Sequence, residues 1–372
     1  MLKRLAVLFA VLALVAAACG GSDDSSDTTT TTAAEGDSSG QETIDTGEST
    51  LATVVARGKL ICGVSGSAIG FSVSDDTGNS VGFDADYCRA VAAATLGDAT
   101  AVEFRDLTAA ERFEALKNGE IDVLIRNSTW TQSRDADIGV QFATTTYYDG
   151  QQILASTDAF PGLSTESGIA DIDGATVCVN AGTTTEKNIT EGAQVNGITI
   201  TLETYEDTAG TQEAYLAGTC DVYTTDGSGL FAFRSAQGQL ENADAANWVI
   251  FPGAPISKEP LGPVTRQNDD AWFDIVNWTV FATFIADEAG IDSTNVDGMM
   301  DDTPELTRLF GGDGELQTAM GLNADAFLQV IKQVGSYGEI FENTLTGPLG
   351  LERSGPNLQW FDGGLIYAPP AR

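Results

Sequence analysis

Two short polar segments, each directly after an apolar run, hold side chains suited to binding a small charged molecule. The first, RNSTWTQSR, runs from Arg126 to Arg134 and follows the run IDVLI. The second, TTDGSG, contains Asp226 and follows CDVY. An arginine offers a planar fork of donors that matches a carboxylate. The first segment is therefore a candidate anion site in a chain that is otherwise poor in positive charge.

An internal repeat places the two segments at equivalent positions. The stretch ALKNGEIDV at 115–123 aligns with AYLAGTCDV at 214–222, and each ends a helical pattern at glycine before entering a strand. Short apolar runs that alternate with helical segments predict βαβ units and a parallel sheet covered on both faces. Ligands of such sheets bind outside the carboxyl ends of the strands. Two facing lobes would therefore bring both segments to one cleft.

The same patterns predict the elements that position these segments. Strands are expected at 59–64, 101–104, 121–125, 175–180, 198–205 and 220–226, and helices at 84–96, 108–118, 211–217 and 270–289, with a further helix from Thr183. Thr108 with Glu111, and Thr183 with Glu186, have capping-box spacing. The apolar core of 270–289 is too short for a membrane span and is interpreted as a buried helix. Extended crossings between the lobes are expected at 144–150 and 249–260.

The overall composition excludes several functions. The chain has 372 residues, 54 acidic against 18 basic, and a formal net charge of -36, which disfavours nucleic acid and anionic lipid as partners. It has no histidine, which excludes a Ser-His-Asp triad, a histidine general base and histidine-containing metal sites. We expect two domains, no cofactor and no metal.

The N-terminal residues indicate export. Lys3 and Arg4 precede an apolar run that ends before Cys19, which resembles a bacterial lipoprotein signal with residues 1–18 removed and Cys19 acylated. An ordinary cleaved signal with a leftover cysteine is the alternative. Residues 19–50 are rich in Gly, Ser, Thr and Asp and predict a disordered tether. We therefore expect an extracytoplasmic protein anchored to the cell membrane by lipid.

Four further cysteines indicate disulfides, since even numbers are typical of exported chains. The sequence allows three pairings of Cys62, Cys88, Cys178 and Cys220. We favour Cys62 with Cys88 and Cys178 with Cys220, because each pair then lies within one lobe and leaves the lobes free to move.

Long motifs add a resemblance to a known family. They are RNSTWTQSRD, YYDGQ, CVNAGTTTE, CDVYTTDGSGL, ISKEPLGP, IKQVGSYGEIFE and GGLIYAPPAR. From about Leu51 to Arg372 the chain resembles the general L-amino-acid-binding proteins of polar amino acid ABC transporters, a group that includes glutamate/glutamine/aspartate/asparagine binders. The resemblance implies an α/β, two-lobed type II periplasmic binding protein fold with two hinge crossings. Lobe 1 is then expected at 51–146 plus 254–372, and lobe 2 at 147–253.

The resemblance also implies roles for five residues. Arg134 matches the arginine that grips the ligand α-carboxylate, with the Thr129 hydroxyl beside it. Asn127 matches a position whose backbone faces the ligand. Thr184 matches a residue whose N–H and hydroxyl meet the same carboxylate, and Asp226 the acid that receives the α-ammonium. Arginine and a helix N-terminus suit a carboxylate on general grounds as well.

Three further features are open to two interpretations. Arg126 either contacts an acidic or amide ligand side chain or pairs with a neighbouring acid. Trp130 stacks on the ligand or, as we favour, packs within its lobe. Residues 65–70, SGSAIG, are expected at the side-chain end of the pocket, although they depart from the family's usual Gly-Leu-Pro-Gly-like form.

The function implied is that of a transport receptor and not of an enzyme. It would capture a free L-amino acid outside the membrane, as a monomer, and deliver it to an ABC permease driven by an ATPase. A dehydratase-like enzyme acting on a small carboxylic acid, on the same fold, is one alternative. A sensory or adhesive lipoprotein is the other.

Overall fold

The computed structural model describes residues 49–372 of the chain. The predictions about the signal peptide 1–18, about Cys19 and about the tether as far as residue 48 lie outside these residues. Helix α1, Thr50–Arg57, begins at the last residue assigned to the tether.

The elements alternate between strand and helix over much of the chain. The strands are β1 Leu60–Val64, β2 Ser67–Ala68, β3 Ser72–Ser74, β4 Ser80–Val81, β5 Val102–Asp106, β6 Val123–Leu124, β7 Val140–Phe142, β8 Tyr147–Asp149, β9 Gln151–Ser156, β10 Thr176–Asn180, β11 Thr201–Tyr205, β12 Val222–Asp226, β13 Trp248–Phe251, β14 Glu259–Leu261 and β15 Val264–Arg266. The later α-helices are α2 Phe83–Leu96, α3 Arg112–Lys117, α4 Thr184–Asn196, α5 Thr208–Leu216, α6 Gly227–Gln239, α7 Asp270–Glu288, α8 Val296–Met299, α9 Pro304–Phe310, α10 Glu315–Ala319, α11 Ala326–Gln333, α12 Tyr337–Phe341 and α13 Gly347–Leu349. Short 3-10 turns lie at Ile169–Ile172, Ala243–Asn247, Gly355–Asn357 and Trp360–Asp362, and π-helical turns at Arg134–Ile138 and Glu342–Thr346.

Two five-stranded sheets are built in the same way. The first has the order β5-β1-β6-β15-β7, with β1 parallel to β5 and β6 and with β15 antiparallel to its neighbours. The second has the order β11-β10-β12-β9-β13, with β10 parallel to β11 and β12 and with β9 antiparallel to its neighbours. Each sheet is the centre of one lobe, so the two-lobed α/β fold and the internal repeat are confirmed. A small antiparallel sheet, β2-β3-β4, accompanies the first lobe.

A two-stranded antiparallel sheet joins the lobes. Strand β8 pairs with β14 so that Asp149 lies opposite Glu259 and Tyr147 opposite Leu261. Strand β8 lies within the first predicted crossing, and β14 lies at the end of the second. The chain therefore passes between the lobes through two adjacent extended segments, which is the arrangement that permits a hinge motion.

Helices α2 and α7 form the centre of the core of the first lobe. In α2 the run AVAAAT is buried almost throughout, because its small side chains allow close packing against neighbouring helices and strands. Helix α7 is largely apolar, and its buried Trp272 donates from Nε1 to the carbonyl of Asp122 at 3.0 Å. Within residues 49–372, no helix is both long enough and apolar enough to cross a membrane.

Both expected disulfides are present, and each connects elements of one lobe. Cys62 of β1 is bonded to Cys88 of α2, with their Cα atoms 6.0 Å apart. Cys178 of β10 is bonded to Cys220, just before β12, with their Cα atoms 5.6 Å apart.

The strand expected at 121–125 and the helix expected at 108–118 are both shorter than predicted. The run 121–125 contains only the short strand β6, yet the N–H groups of Asp122 and Ile125 donate to β1 carbonyls at 2.8 and 2.9 Å. Helix α3 begins at Arg112 because the preceding residues form a separate turn. The capping-box hydrogen bonds exist within that turn, where Thr108 N donates to Glu111 Oε2 at 3.1 Å and Glu111 N to Thr108 Oγ1 at 3.3 Å.

Candidate functional site

A cavity of about 80 Å³ lies between the lobes, where the carboxyl ends of the parallel strands of both sheets meet. A single water needs only about 10–15 Å³ of such space, so the cavity has room for a small molecule. Its lining comes from both lobes: Ala68, Ile69, Phe71, Arg112, Arg126, Asn127, Thr129, Arg134, Asn180, Thr183, Thr184, Thr185, Thr208, Gln212, Tyr223, Thr225, Asp226, Ser228 and Gly229.

The segment after β6 folds back on itself and delivers two arginines to this cavity. Asn127 has a φ of 40°, a left-handed conformation that asparagine adopts more readily than most residues. Its N–H donates to Asp84 Oδ2 at 2.8 Å, which fixes the turn. The amide oxygen of the Asn127 side chain is buried and has no hydrogen-bond partner within the protein. A ligand donor could therefore satisfy it.

Arg134 keeps most of its donors available to the cavity. Its side chain is buried, Nη1 donates to the carbonyl of Thr129 at 2.8 Å, and Cζ lies 5.3 Å from the centre of the Phe113 ring. No carboxylate of residues 49–372 forms an ion pair with it. An arginine has five N–H donors, so the geometry leaves a buried cation ready to accept an anion.

The start of α4 brings the second lobe against the first. Thr183 caps the helix by accepting from Glu186 N at 3.1 Å, and Thr184 is its first residue. The hydroxyl of Thr184 lies 3.4 Å from that of Thr129 and donates to Glu259 Oε2 at 2.9 Å. The first N–H groups of a helix and its dipole favour an anion at this end. Hydroxyl groups of both lobes thus meet at the N-terminus of α4.

Asp226 ends β12 and supplies the one acidic side chain among the lining residues. Burial raises the pKa of its carboxyl well above the ordinary value, and the carboxylates of Asp149 and Glu259 raise it further. Arg134 and Arg112 act in the opposite direction. A cation next to Asp226 would stabilise the ionised form, so this position suits an ammonium group.

Two further acids support the site, and the interpretation of the sequence did not include them. Asp149 accepts from Gly150 N at 2.8 Å and also from the Ser228 hydroxyl, and burial raises its pKa to about 6. Glu259 is buried and accepts from Asn188 Nδ2 at 2.9 Å and from Ser257 Oγ at 2.6 Å. Both lie in motifs that carry the family resemblance, YYDGQ and ISKEPLGP, which was the available signal.

Arg112 is a third arginine of the cavity, and it was also missed. It is 2% exposed, and its Nε has no hydrogen-bond partner. The signal is its position: Ala109, Arg112, Phe113 and Leu116 have the spacing of one buried helical face, so a charge occupies an apolar position. Arg126 differs from Arg112, since its Nε donates to the carbonyl of Leu107 at 2.7 Å.

Trp130 and the 65–70 segment are only partly associated with the cavity. The Trp130 ring is 43% exposed, stacks on Phe142 at 6.0 Å between centroids, and is not among the lining residues. In the 65–70 segment, Ala68 and Ile69 line the cavity. Ser65 lies in a separate depression nearby.

Residues 60–345 match the sequence model of one protein family, the bacterial extracellular solute-binding proteins, family 3. The chain belongs to this family. A family 3 protein is an extracytoplasmic solute-binding protein, and the cavity between the lobes is the place where a solute can be enclosed.

Similar proteins agree with this assignment. The general L-amino acid-binding periplasmic protein AapJ of Rhizobium johnstonii is 45% identical over 329 residues, 87% of this chain and 93% of that protein. The glutamate/glutamine/aspartate/asparagine-binding protein BztA of Rhodobacter capsulatus is 45% identical over 328 residues, 87% of this chain and 94% of that protein. A solved periplasmic binding protein from Brucella ovis, with glutathione bound, is 44% identical with a TM-score of 0.81, covering 88% of this chain and all of that one.

Proposed function

We propose that this solute-binding protein encloses a free L-amino acid between its lobes and delivers it to an ABC permease driven by an ATPase. The observation that carries the proposal is the convergence of Arg134, from one lobe, and Asp226, from the other, on one small cavity. A free amino acid carries a carboxylate and an ammonium on the same carbon, so it needs a buried cation and a buried acid placed together.

In this proposal, each group of the amino acid has a partner. Arg134 and the N-terminus of α4 at Thr184 bind the α-carboxylate, with the Thr129 hydroxyl beside them and the Asn127 backbone facing the ligand. Asp226 accepts from the α-ammonium. Because these groups belong to different lobes, the contacts exist together only when the lobes are closed, so the ligand stabilises closure.

The remainder of the receptor follows from the same proposal. Lobe 1 comprises 51–146 and 254–372, lobe 2 comprises 147–253, and the protein acts as a monomer. Removal of residues 1–18 and acylation of Cys19 anchor it to the cell membrane, with 19–50 as the tether. The net charge of -36 supports a role without nucleic acid.

The size of the cavity allows a small solute such as a free amino acid. The names of AapJ and BztA describe amino acids and the Brucella ovis protein holds glutathione, so a binding screen must include both kinds of ligand. Arg126, Ala68 and Ile69 lie where they can contact a ligand side chain.

We propose a receptor and not an enzyme. The chain contains no histidine, and residues 49–372 hold no group of three or more side chains that could bind a metal. Arg134 and Asp226 are accounted for by binding the two charged groups of a zwitterion. Conversion of a bound acid to a new product, detected by mass spectrometry, would contradict this proposal.

A thermal-shift screen over all free L-amino acids, with glutathione included, tests the function. A ligand at 100 times its dissociation constant stabilises a protein by about 2.7 kcal/mol, so binders will raise the melting temperature clearly. We expect at least one L-amino acid to do so, and its D-enantiomer to have a much smaller effect. If no amino acid shifts the unfolding transition, the proposal is wrong.

A further inference from the structure

Arg112 is a buried cation for which the described part of the chain provides no partner. Its side chain is 2% exposed and forms no ion pair within residues 49–372. Its Nε is buried without a hydrogen-bond partner, yet the residue lines the cavity. Its Cζ lies 4.9 Å from the centre of the Phe113 ring, which provides only weak compensation. A guanidinium in this position needs an anion.

The neighbouring charges make this need greater. Burial lowers the pKa of Arg112 well below its ordinary value, Arg134 and Arg126 lower it further, and Asp226 opposes them. Three guanidinium groups and the single carboxyl of Asp226 therefore line one small cavity. An α-carboxylate and an α-ammonium together add no net charge, so the head of an amino acid leaves this excess of positive charge unchanged.

The other two arginines already have opposing groups. Burial lowers the pKa of Arg126 to about 10, and the nearby carboxylate of Asp84 counteracts the shift. The electrostatic attraction of Glu259, and then of Asp226, opposes the fall in the pKa of Arg134 that burial causes. Arg112 has only Asp226, which is also the proposed partner of the ligand ammonium.

We infer that Arg112 determines specificity by binding a second carboxylate on the ligand, so that an anionic ligand is preferred to its neutral isostere. This inference rests on the proposed function and names the ligand class: an amino acid with a carboxylate at the end of its side chain. The second carboxylate has two possible sources. It belongs to the side chain of a free acidic amino acid, or to the distal residue of a γ-glutamyl peptide.

Isothermal titration calorimetry with isosteric ligand pairs tests the inference. We expect the wild-type protein to bind L-glutamate about tenfold or more tighter than L-glutamine, because a hydrogen bond between two charged groups is stronger than one to a neutral amide. In Arg112→Met the ratio of the two affinities should approach one, because the affinity for glutamate decreases while that for glutamine is retained. Arg112→Lys should retain part of the preference, because it keeps the charge and loses the fork.

Matched controls separate this role from a general one. Arg105→Met removes an exposed arginine that pairs with Glu120 outside the cavity, so it should leave the ratio unchanged. The pair γ-L-glutamylglycine and its C-terminal amide repeats the comparison for a peptide. Each pair gives a ratio of affinities, glutamate to glutamine or the peptide to its amide. The pair with the larger ratio identifies the source of the second carboxylate. Melting temperatures of the ligand-free variants check folding.

Failure of the inference about Arg112 can be distinguished from failure of the proposed function. If wild type binds glutamine as tightly as glutamate, and the peptide amide as tightly as the peptide, the inference is overturned without any variant. If Arg112→Met weakens both members of each pair equally, Arg112 only supports the shape of the cavity, and the inference is overturned while the proposed function stands. If no amino acid and no γ-glutamyl peptide binds, the proposed function fails and takes the inference with it.

Discussion

Glu259 of β14 lies directly opposite Asp149 of β8, so two acidic side chains face each other across the strand pair that joins the lobes. Like charges at opposed positions of an antiparallel pair destabilise it. Ser228 donates to Asp149, and Thr184 and Asn188 donate to Glu259, so both acids are bonded to residues in or next to the cavity wall. The hinge and the cavity are therefore electrostatically linked.

The first prediction concerns the pH dependence of the ligand-free protein. Burial raises the pKa of Asp149 to about 6, from 3.8. The folded protein then binds more protons than the unfolded chain, so Asp149 contributes stability that is present at low pH and lost as the pH rises through about 6. We expect Asp149→Asn to remove this contribution. The free energy of unfolding of the variant, relative to that of wild type, should therefore increase as the pH rises from about 4 to 7.

Urea unfolding across that pH range measures this difference. The difference in unfolding free energy between wild type and variant isolates the contribution of Asp149 from those of other acids. Asp75 is one of these: hydrogen bonds from Thr77 lower its pKa, so its contribution to stability changes with pH in the opposite direction. Parallel pH profiles for the two proteins would contradict the prediction.

The second prediction is that binding of an amino acid releases a proton. Burial, with Asp149 and Glu259, raises the pKa of Asp226 well above its ordinary value against the opposing effect of Arg134 and Arg112, which favours the protonated carboxyl in the ligand-free protein. A ligand ammonium favours the ionised form and drives the proton out. Calorimetry near neutral pH, in two buffers that differ in ionisation enthalpy, should give different binding enthalpies. Asp226→Asn should lose both this difference and most of the affinity. Equal enthalpies for wild type would show that no proton is released.

The third prediction concerns the carboxylate clamp. Arg134→Ala should leave the ligand carboxylate without its buried partner and cost about 2–5 kcal/mol of binding free energy, measured by calorimetry. The matched control is Arg105→Ala, because Arg105 pairs with Glu120 at 2.6 Å and both side chains are exposed. Exposed pairs contribute only about 0–1 kcal/mol, so this variant should bind like wild type. Unchanged affinity of Arg134→Ala for every ligand would exclude Arg134 from the clamp.

The fourth prediction separates stability from binding. Cys178 and Cys220 are 42 residues apart, and the disulfide joins two segments of one sheet. Replacing both by alanine should lower the free energy of unfolding by about 2–4 kcal/mol, because the unfolded chain regains entropy. Ligand affinity should remain unchanged, since neither cysteine lines the cavity. A tenfold or greater loss of affinity, about 1.4 kcal/mol, would show that the disulfide also shapes the site.

Local patterns in the sequence were sufficient for the architecture. Twice in the chain a helical segment ends at glycine and a strand with Asp-Val follows, and this repeat indicated two equivalent lobes. The favoured disulfide pairings came from keeping each pair within one lobe, and both are present. Strand and helix patterns depend on contacts between residues close in sequence, so the chain reveals them directly.

The roles of individual side chains were harder to predict. Trp130 belongs to the polar segment that lines the cavity, and sequence alone left two interpretations open for it; its ring stacks on Phe142 and does not line the cavity, in agreement with the packing interpretation that we favoured. Arg112 lies close to Glu111 and Glu114 in the sequence, yet its side chain is buried in the cavity wall, and the only signal of this was its place on the apolar face of the helical pattern. Whether a charged side chain is buried depends on residues distant in sequence that pack against it in the folded protein.

The sequence by itself determined the two-lobed α/β fold and the polar segments that carry Arg134 and Asp226, because strand period, glycine stops and family motifs are local signals. It favoured one of three cysteine pairings, which the structure then confirmed. Only the tertiary structure decided that Arg112 joins Arg126 and Arg134, and that Asp149 faces Glu259 at the hinge. These groups are distant along the chain, and their charges interact strongly only because folding removes them from water.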